Sequence, residues 1–134
     1  MPNFSNLDLV AVLVAIVIHQ VLGFLWYSVL FQKPWVVAVG KPMDEMGDPK
    51  VALSVGVIAS VVMAVALGLI VNLSATPDLG SGVKIGLIVG VAFIGMAILM
   101  QTLFEDRNRT LFWIYAGYQV VGFALMGAVL GAMR

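Results

Sequence analysis

The sequence predicts an all-α membrane protein, a four transmembrane helix bundle with a short interfacial segment between helices 1 and 2. Three observations predict it. Hydrophobic residues make up 62% of the 134 and charged residues 10%, where a soluble domain carries roughly 25% charged. Four stretches hold no charged side chain: Leu9 to Gln32, Val51 to Pro77, Ile85 to Phe104 and Thr110 to Met133. None of them alternates with the period of two that a membrane barrel requires. The shortest, Ile85 to Phe104, has 20 residues and reaches about 30 Å as a helix, the thickness of a bilayer's hydrocarbon core.

The first span is expected at about 8–31. No Lys or Arg precedes it, so the basic region of a signal peptide is missing, and the run exceeds an h-region of ~7–15 residues. It is expected to be retained. Lys33-Pro34-Trp35-Val36-Val37 predicts a segment lying at the interface with Trp35 at headgroup level. Lys41 to Asp48 reads as a polar loop. Asp48-Pro49 reads as an N-cap with proline at the first helical position, opening the second span at about 50–73. A surface helix of a soluble bundle needs a polar face, and this span has none. Its 13 Val, Leu and Ile residues between Val51 and Leu73 favour insertion by up to about 4–8 kcal/mol. Thr76-Pro77-Asp78-Leu79-Gly80-Ser81 is a turn, with Ser81 the expected cap of the third span, at about 82–104. Glu105-Asp106-Arg107-Asn108 is a tight corner leading into the fourth span, at about 109–132.

Charge sets the expected orientation. Lys33, Lys41, Lys50, Arg107 and Arg109 lie in the first and third connections, against Lys84 and Arg134 on the other side. Cytoplasmic loops carry the excess of Lys and Arg, so both termini are expected outside the cytoplasm. Seven basic and seven acidic residues cancel, and no field points to nucleic acid. The lipid bilayer is the first partner.

Small residues recur every four positions. Gly56, Ser60, Ala64 and Gly68 follow Ala52 on helix 2; Gly82, Gly86 and Gly90 open helix 3; Gly127 and Gly131 close helix 4 beside Ala124 and Ala128. Lipid tails supply no hydrophobic drive between helices, so small residues matter by letting backbones approach. Packing within the chain and an interface with other membrane subunits or a second copy both remain open.

Polar groups inside spans are the candidates for function, because at that depth they face protein or a cavity. His19 and Gln20 sit near the middle of helix 1, and Gly23, Trp26 and Tyr27 follow on the same face by helical spacing. Tyr115, Tyr118 and Gln119 on helix 4 and Gln101 near the end of helix 3 fall in the same layer. They predict either a pocket for a small amphipathic ligand or an aromatic belt with interhelical hydrogen bonds. Zinc needs about three or four ligands, and with one histidine and no cysteine no metal site is predicted. Ser28 lies on a different face from His19, which leaves no nucleophile–base pair. Catalytic residues are therefore not expected, and the chain is read as a non-enzyme. No cofactor is predicted, a lipid or pigment being the class the spans would admit.

Ala15-x-x-x-His19 is similar to the Ala-x-x-x-His of light-harvesting antenna helices, where the histidine ligates a bacteriochlorophyll. Antenna polypeptides have one span, so pigment association through His19 is the remote alternative. Gly23-Phe24-Leu25-Trp26-Tyr27-Ser28, with Phe31-Gln32-Lys33-Pro34-Trp35 and Gly40, resembles the opening signature of the bacterial domain of unknown function number 1761. Gly117-Tyr118, Gly122, Gly127 and Gly131 are similar to that family's last span. The resemblance implies four spans in a bacterial inner membrane, a single domain and no established activity. The first loop is shorter than the family's. The expected function is a non-enzymatic accessory or scaffold subunit of a larger membrane assembly. The alternative is a binder or small carrier of a lipophilic or amphipathic molecule.

Overall fold

The computed structural model describes residues 8–40, 49–74, 77–106 and 108–133, without the side chains at 49 and 52. The expected cap Asp48, the loop 41–48, Thr76, Arg107 and Arg134 lie outside the described residues. Four helices are long and apolar enough to cross a membrane: Leu9–Leu30, Leu53–Asn72, Leu79–Phe104 and Arg109–Ala132. Among the described residues there is no strand. The protein is an all-α, multi-pass membrane protein. Leu13, Val17 and Val21 on the first span, and Val55, Ile58 and Val62 on the second, are exposed. Apolar surface on this scale needs lipid rather than water around it.

The first span starts where Asp8 accepts from the backbone amides of Val10 at 2.9 Å and Ala11 at 3.3 Å, pairing donors that a helix start otherwise leaves free. It is α-helical over Leu9–Phe24 and widens into a π-helix over Leu25–Leu30, closed by Phe31 N–H donating to the Trp26 carbonyl at 2.9 Å. A short helix, Gln32–Val39, follows and stops at Gly40. Gly40 has φ +79°, a left-handed conformation that glycine adopts without penalty. The interfacial segment is thus a helix. Trp35 turns toward the bundle: its indole meets the Tyr27 ring edge-on at 5.1 Å and donates to the Tyr115 hydroxyl at 3.3 Å.

The second helix, Pro49–Asn72, begins with proline at a position where its missing N–H is no loss. The third span corrects one expectation: Asp78, not Ser81, is its N-cap, and the helix starts at Leu79. Asp78 has the extended backbone a cap needs, and its carboxylate accepts from Ser81 N–H at 2.7 Å. Ser81 instead closes a capping box, its Oγ accepting from Asp78 N–H at 2.9 Å. The bonds from Ser81 hold the Asp78 carboxyl below the usual carboxylate range. The third span also contains a π-helical stretch, Val89–Gly95. The fourth opens at Asn108, whose side chain accepts from Thr110 N–H at 2.9 Å.

The fourth span is the centre of the bundle. Phe123, Met126 and Leu130 meet Ala11, Val12 and Ala15 of the first span and Ala64, Leu67 and Val71 of the second in one buried cluster. The third span meets the fourth through backbone. A Cβ at Gly82 would overlap the Gly127 carbonyl, and one at Gly86 would overlap that of Phe123. In the other direction, a Cβ at Gly127 would overlap the Gly82 carbonyl, and one at Gly131 that of Asp78. The glycine hydrogens stand in those places and point at carbonyl oxygens, the geometry of weak Cα–H···O contacts.

Candidate functional site

Ser60 sits at mid-span on the second helix and is wholly buried, 0% exposed. Two consecutive residues of the first span converge on its hydroxyl. His19 Nδ1 lies 2.6 Å from Ser60 Oγ, and Gln20 Nε2 donates to the same oxygen at 2.6 Å and to the Gly56 carbonyl at 3.3 Å. From the fourth span, the Tyr118 hydroxyl donates to the His19 carbonyl at 3.0 Å, and its ring lies 5.0 Å from the imidazole. Three spans are therefore tied at one depth by side-chain hydrogen bonds, which lipid cannot replace.

Glycines make room for the rings. Tyr118 Oη lies 3.0 Å from where a Cβ on Gly23 would stand, so Gly23 admits the phenol to the His19 carbonyl. Gly122 likewise admits the imidazole, with Cδ2 at 3.2 Å, and Gly117 admits the Trp26 ring, with Cζ2 at 3.0 Å. The Trp26 indole donates to the Ile114 carbonyl at 2.9 Å. Tyr27 stands among Tyr118 at 5.5 Å, Tyr115 at 6.2 Å and Trp35.

Beside this cluster lies a mostly apolar cavity of about 580 Å³. Its walls are His19, Gln20, Gly23, Phe24, Tyr27 and Ser28 from the first span, Leu53, Gly56, Ala59 and Met63 from the second, and Tyr115, Tyr118 and Gln119 from the fourth, with Trp35. Ser28, expected on a different face from His19, borders the same cavity because it lies in the π-helical stretch, which breaks the 3.6-residue period. The volume falls within the range of small-molecule sites, roughly 300–1,000 Å³. A second cavity, about 230 Å³, lies among Tyr27, Ile98, Gln101, Thr102, Leu111, Tyr115 and Gln119. Tyr27, Tyr115 and Gln119 border both.

The structure thus brings His19, Gln20, Gly23, Tyr27, Tyr115, Tyr118 and Gln119 around the larger cavity. Gln101 borders only the smaller one and is exposed. Trp26 lines neither, being bound to the fourth span's backbone. Sequence reasoning missed Ser60 and Gly56 as site residues and grouped both with helix packing. A signal was present: Ser60 is as central in its span as His19 is in the first, and a mid-membrane hydroxyl seeks a partner at its own depth.

Two buried polar atoms have no hydrogen-bond partner among the described residues: His19 Nε2 and Gln119 Oε1. The imidazole is 5% exposed. Gln119 lies within hydrogen-bonding reach of it. Buried polar atoms are nearly always paired, and these two side chains are each other's neighbours across the first and fourth spans. No group of three His, Cys, Asp or Glu among the described residues could hold a metal ion. The site offers neutral donors and acceptors on an apolar wall.

No curated protein and no solved structure matches the chain. The family model described as Protein of unknown function (DUF1761) matches residues 10–131, nearly the whole chain, and the protein belongs to that family.

Proposed function

We propose that this protein binds a small lipophilic or amphipathic molecule inside its membrane-spanning bundle, as a binder or small carrier. The observation that carries this is the mostly apolar cavity of about 580 Å³, which His19, Gln20, Tyr27, Tyr115, Tyr118 and Gln119 line together. The small-residue stripes, which pointed toward a scaffold, are largely used within the chain. Gly82, Gly86, Gly127 and Gly131 meet backbone of the neighbouring span. Ser60, Ala64 and Gly68 are buried. Gly56 has nothing within 4 Å of an added Cβ, and it borders the cavity.

Gly56→Leu tests the proposal without disturbing packing. Glycine within a helix is less favourable than leucine by up to about 1 kcal/mol, so the thermal midpoint in detergent is expected unchanged or raised. The new side chain fills cavity space, and native mass spectrometry from lipid nanodiscs is expected to show a bound small molecule on the wild type and at least about ten-fold less on the variant, which is ~1.4 kcal/mol of lost affinity. Identical bound mass on both, or none on the wild type, would remove the proposal.

An accessory or scaffold role is the second reading. Its support is the first half of helix 2, where Val51, Leu53, Val55, Val57 and Ile58 are exposed and the first buried side chain among the described residues is Ser60. A partner subunit would cover this half-helix. Migration of the detergent-extracted native protein only as a monomer would count against it. Pigment association is disfavoured by the site itself. His19 Nε2 lies 3.7 Å from where a Cβ on Gly122 of the fourth span would stand, and a flat macrocycle would have to part the first and fourth spans to reach it.

We place the protein in the bacterial inner membrane with both termini outside the cytoplasm, on the Lys and Arg balance of the connections. The chain has no cysteine, so single-cysteine variants at the third connection and the C-terminus report cleanly. Labelling by an impermeant maleimide in intact cells is expected at the C-terminus and not at the connection. The reverse pattern would invert the assignment.

A further inference from the structure

Resting on the ligand-binding reading above, we infer that the Tyr27 ring sets the length of molecule the site accepts, standing as the partition between the two cavities. Their walls place the cavities on opposite sides of the seam where the first span meets the fourth. The larger, about 580 Å³, has Leu53, Ala59 and Met63 of the second span on its far wall. The smaller, about 230 Å³, has Ile98, Gln101 and Thr102 of the third. Tyr27, Tyr115 and Gln119 belong to both walls. Tyr115 and Gln119 are four residues apart and share one face of the fourth span, so the first span completes the partition from the other side. It does so with one residue. Among the described residues, Tyr27 is the only first-span side chain that lines the smaller cavity.

The rest of the partition is tied down. The Tyr115 hydroxyl accepts from the Trp35 indole at 3.3 Å, and Gln119 lies within hydrogen-bonding reach of His19. The neighbouring Trp26 and Tyr118 donate to the carbonyls of Ile114 and His19. Tyr27 makes no hydrogen bond among the described residues. Its neighbours are rings: it meets Trp35 at 5.1 Å and Tyr118 at 5.5 Å edge-on, and Tyr115 at 6.2 Å tilted. Truncating it therefore removes the partition without leaving a polar group unpaired. Beyond the ring, Ile98 and Leu111 offer an apolar lining that suits the end of a hydrocarbon tail. With the ring in place, a tail ends in the larger cavity. No charged side chain among the described residues lines either cavity, so an uncharged amphiphile is the class that fits.

The test is a competition on the full chain in lipid nanodiscs. Diazirine-bearing monooctanoylglycerol is the photoprobe, and its label on Ala59 and Met63 is mapped by mass spectrometry. Plain monooctanoylglycerol and monopalmitoylglycerol are the competitors, compared by the mole fraction in the bilayer that halves the label. In the wild type the palmitoyl competitor is expected to need at least about ten-fold more than the octanoyl one. In Tyr27→Ala the two are expected to compete equally. Tyr27→Phe keeps the ring and loses only an unbonded hydroxyl, so it is expected to behave as the wild type. Should Tyr27→Ala take no label at all, Tyr27→Val, which keeps part of the packing, is read in its place. Equal competition in the wild type, a preference that survives truncation, or one that Tyr27→Phe abolishes would overturn the partition while leaving a ligand cavity standing. Wild-type label on Ala59 and Met63 that neither competitor reduces would overturn both.

Discussion

Gly82→Leu is expected to separate the third span from the fourth and to lower stability by about 3 kcal/mol or more, the upper end of overpacking. A side chain at Gly82 meets the Gly127 carbonyl, with Gly127 C at 2.7 Å and Gly131 Cα at 3.3 Å. Every one of these atoms is backbone, so no rotamer change relieves the overlap. The spans must move apart, and the reciprocal approaches at Gly86, Gly127 and Gly131 are lost with them. Lipid does not drive helices together, so lost contact has no hydrophobic term to offset it. Thermal unfolding in a mild detergent measures the effect. Gly56→Ala is the control, expected to leave the midpoint unchanged or raise it. A Gly82→Leu midpoint equal to wild type would mean that the third and fourth spans do not meet through these glycines.

Ser60→Ala has the second-largest expected effect, a loss of about 1–3 kcal/mol, the usual range when a buried polar group is left without a partner. Removing one hydroxyl leaves His19 Nδ1 bare and Gln20 Nε2 with the 3.3 Å bond to Gly56 alone. Measured interhelical hydrogen bonds in membranes average about 0.6 kcal/mol, so the shared acceptor is what raises the effect above an ordinary pair. A double-mutant cycle with His19→Leu separates this from general damage. His19→Leu is expected to be less destabilising in the Ser60→Ala background, because the bond it breaks is already gone. Strict additivity would show that the two side chains do not interact.

The four spans were legible because a run of uncharged residues long enough to cross lipid has few other folded solutions. Finer features were legible to different degrees for different reasons. Asp78 and Ser81 are both good caps, and the choice between them depends on which residue takes the extended backbone. His19 and Gln20 stood out because polar groups at mid-membrane depth are costly. Their partner did not: Ser60 reads as one more small residue until the second helix is laid against the first in register. The separation of Gln101 and Trp26 from the other candidates has a further cause. Helical spacing assumes 3.6 residues per turn, and the π-helical stretches at Leu25–Leu30 and Val89–Gly95 break that period, rotating the faces of the residues after them. Trp26 lies within one such stretch, and Gln101 follows the other.

His19 is the single histidine in the chain, so selective ¹⁵N labelling of histidine gives one imidazole with no assignment problem. In lipid nanodiscs its Nδ1 resonance is expected to shift between the wild type and Ser60→Ala, because Ser60 Oγ lies 2.6 Å from that atom. An Nδ1 signal that Ser60→Ala leaves unmoved would contradict a site in which His19 and Ser60 join the first two spans.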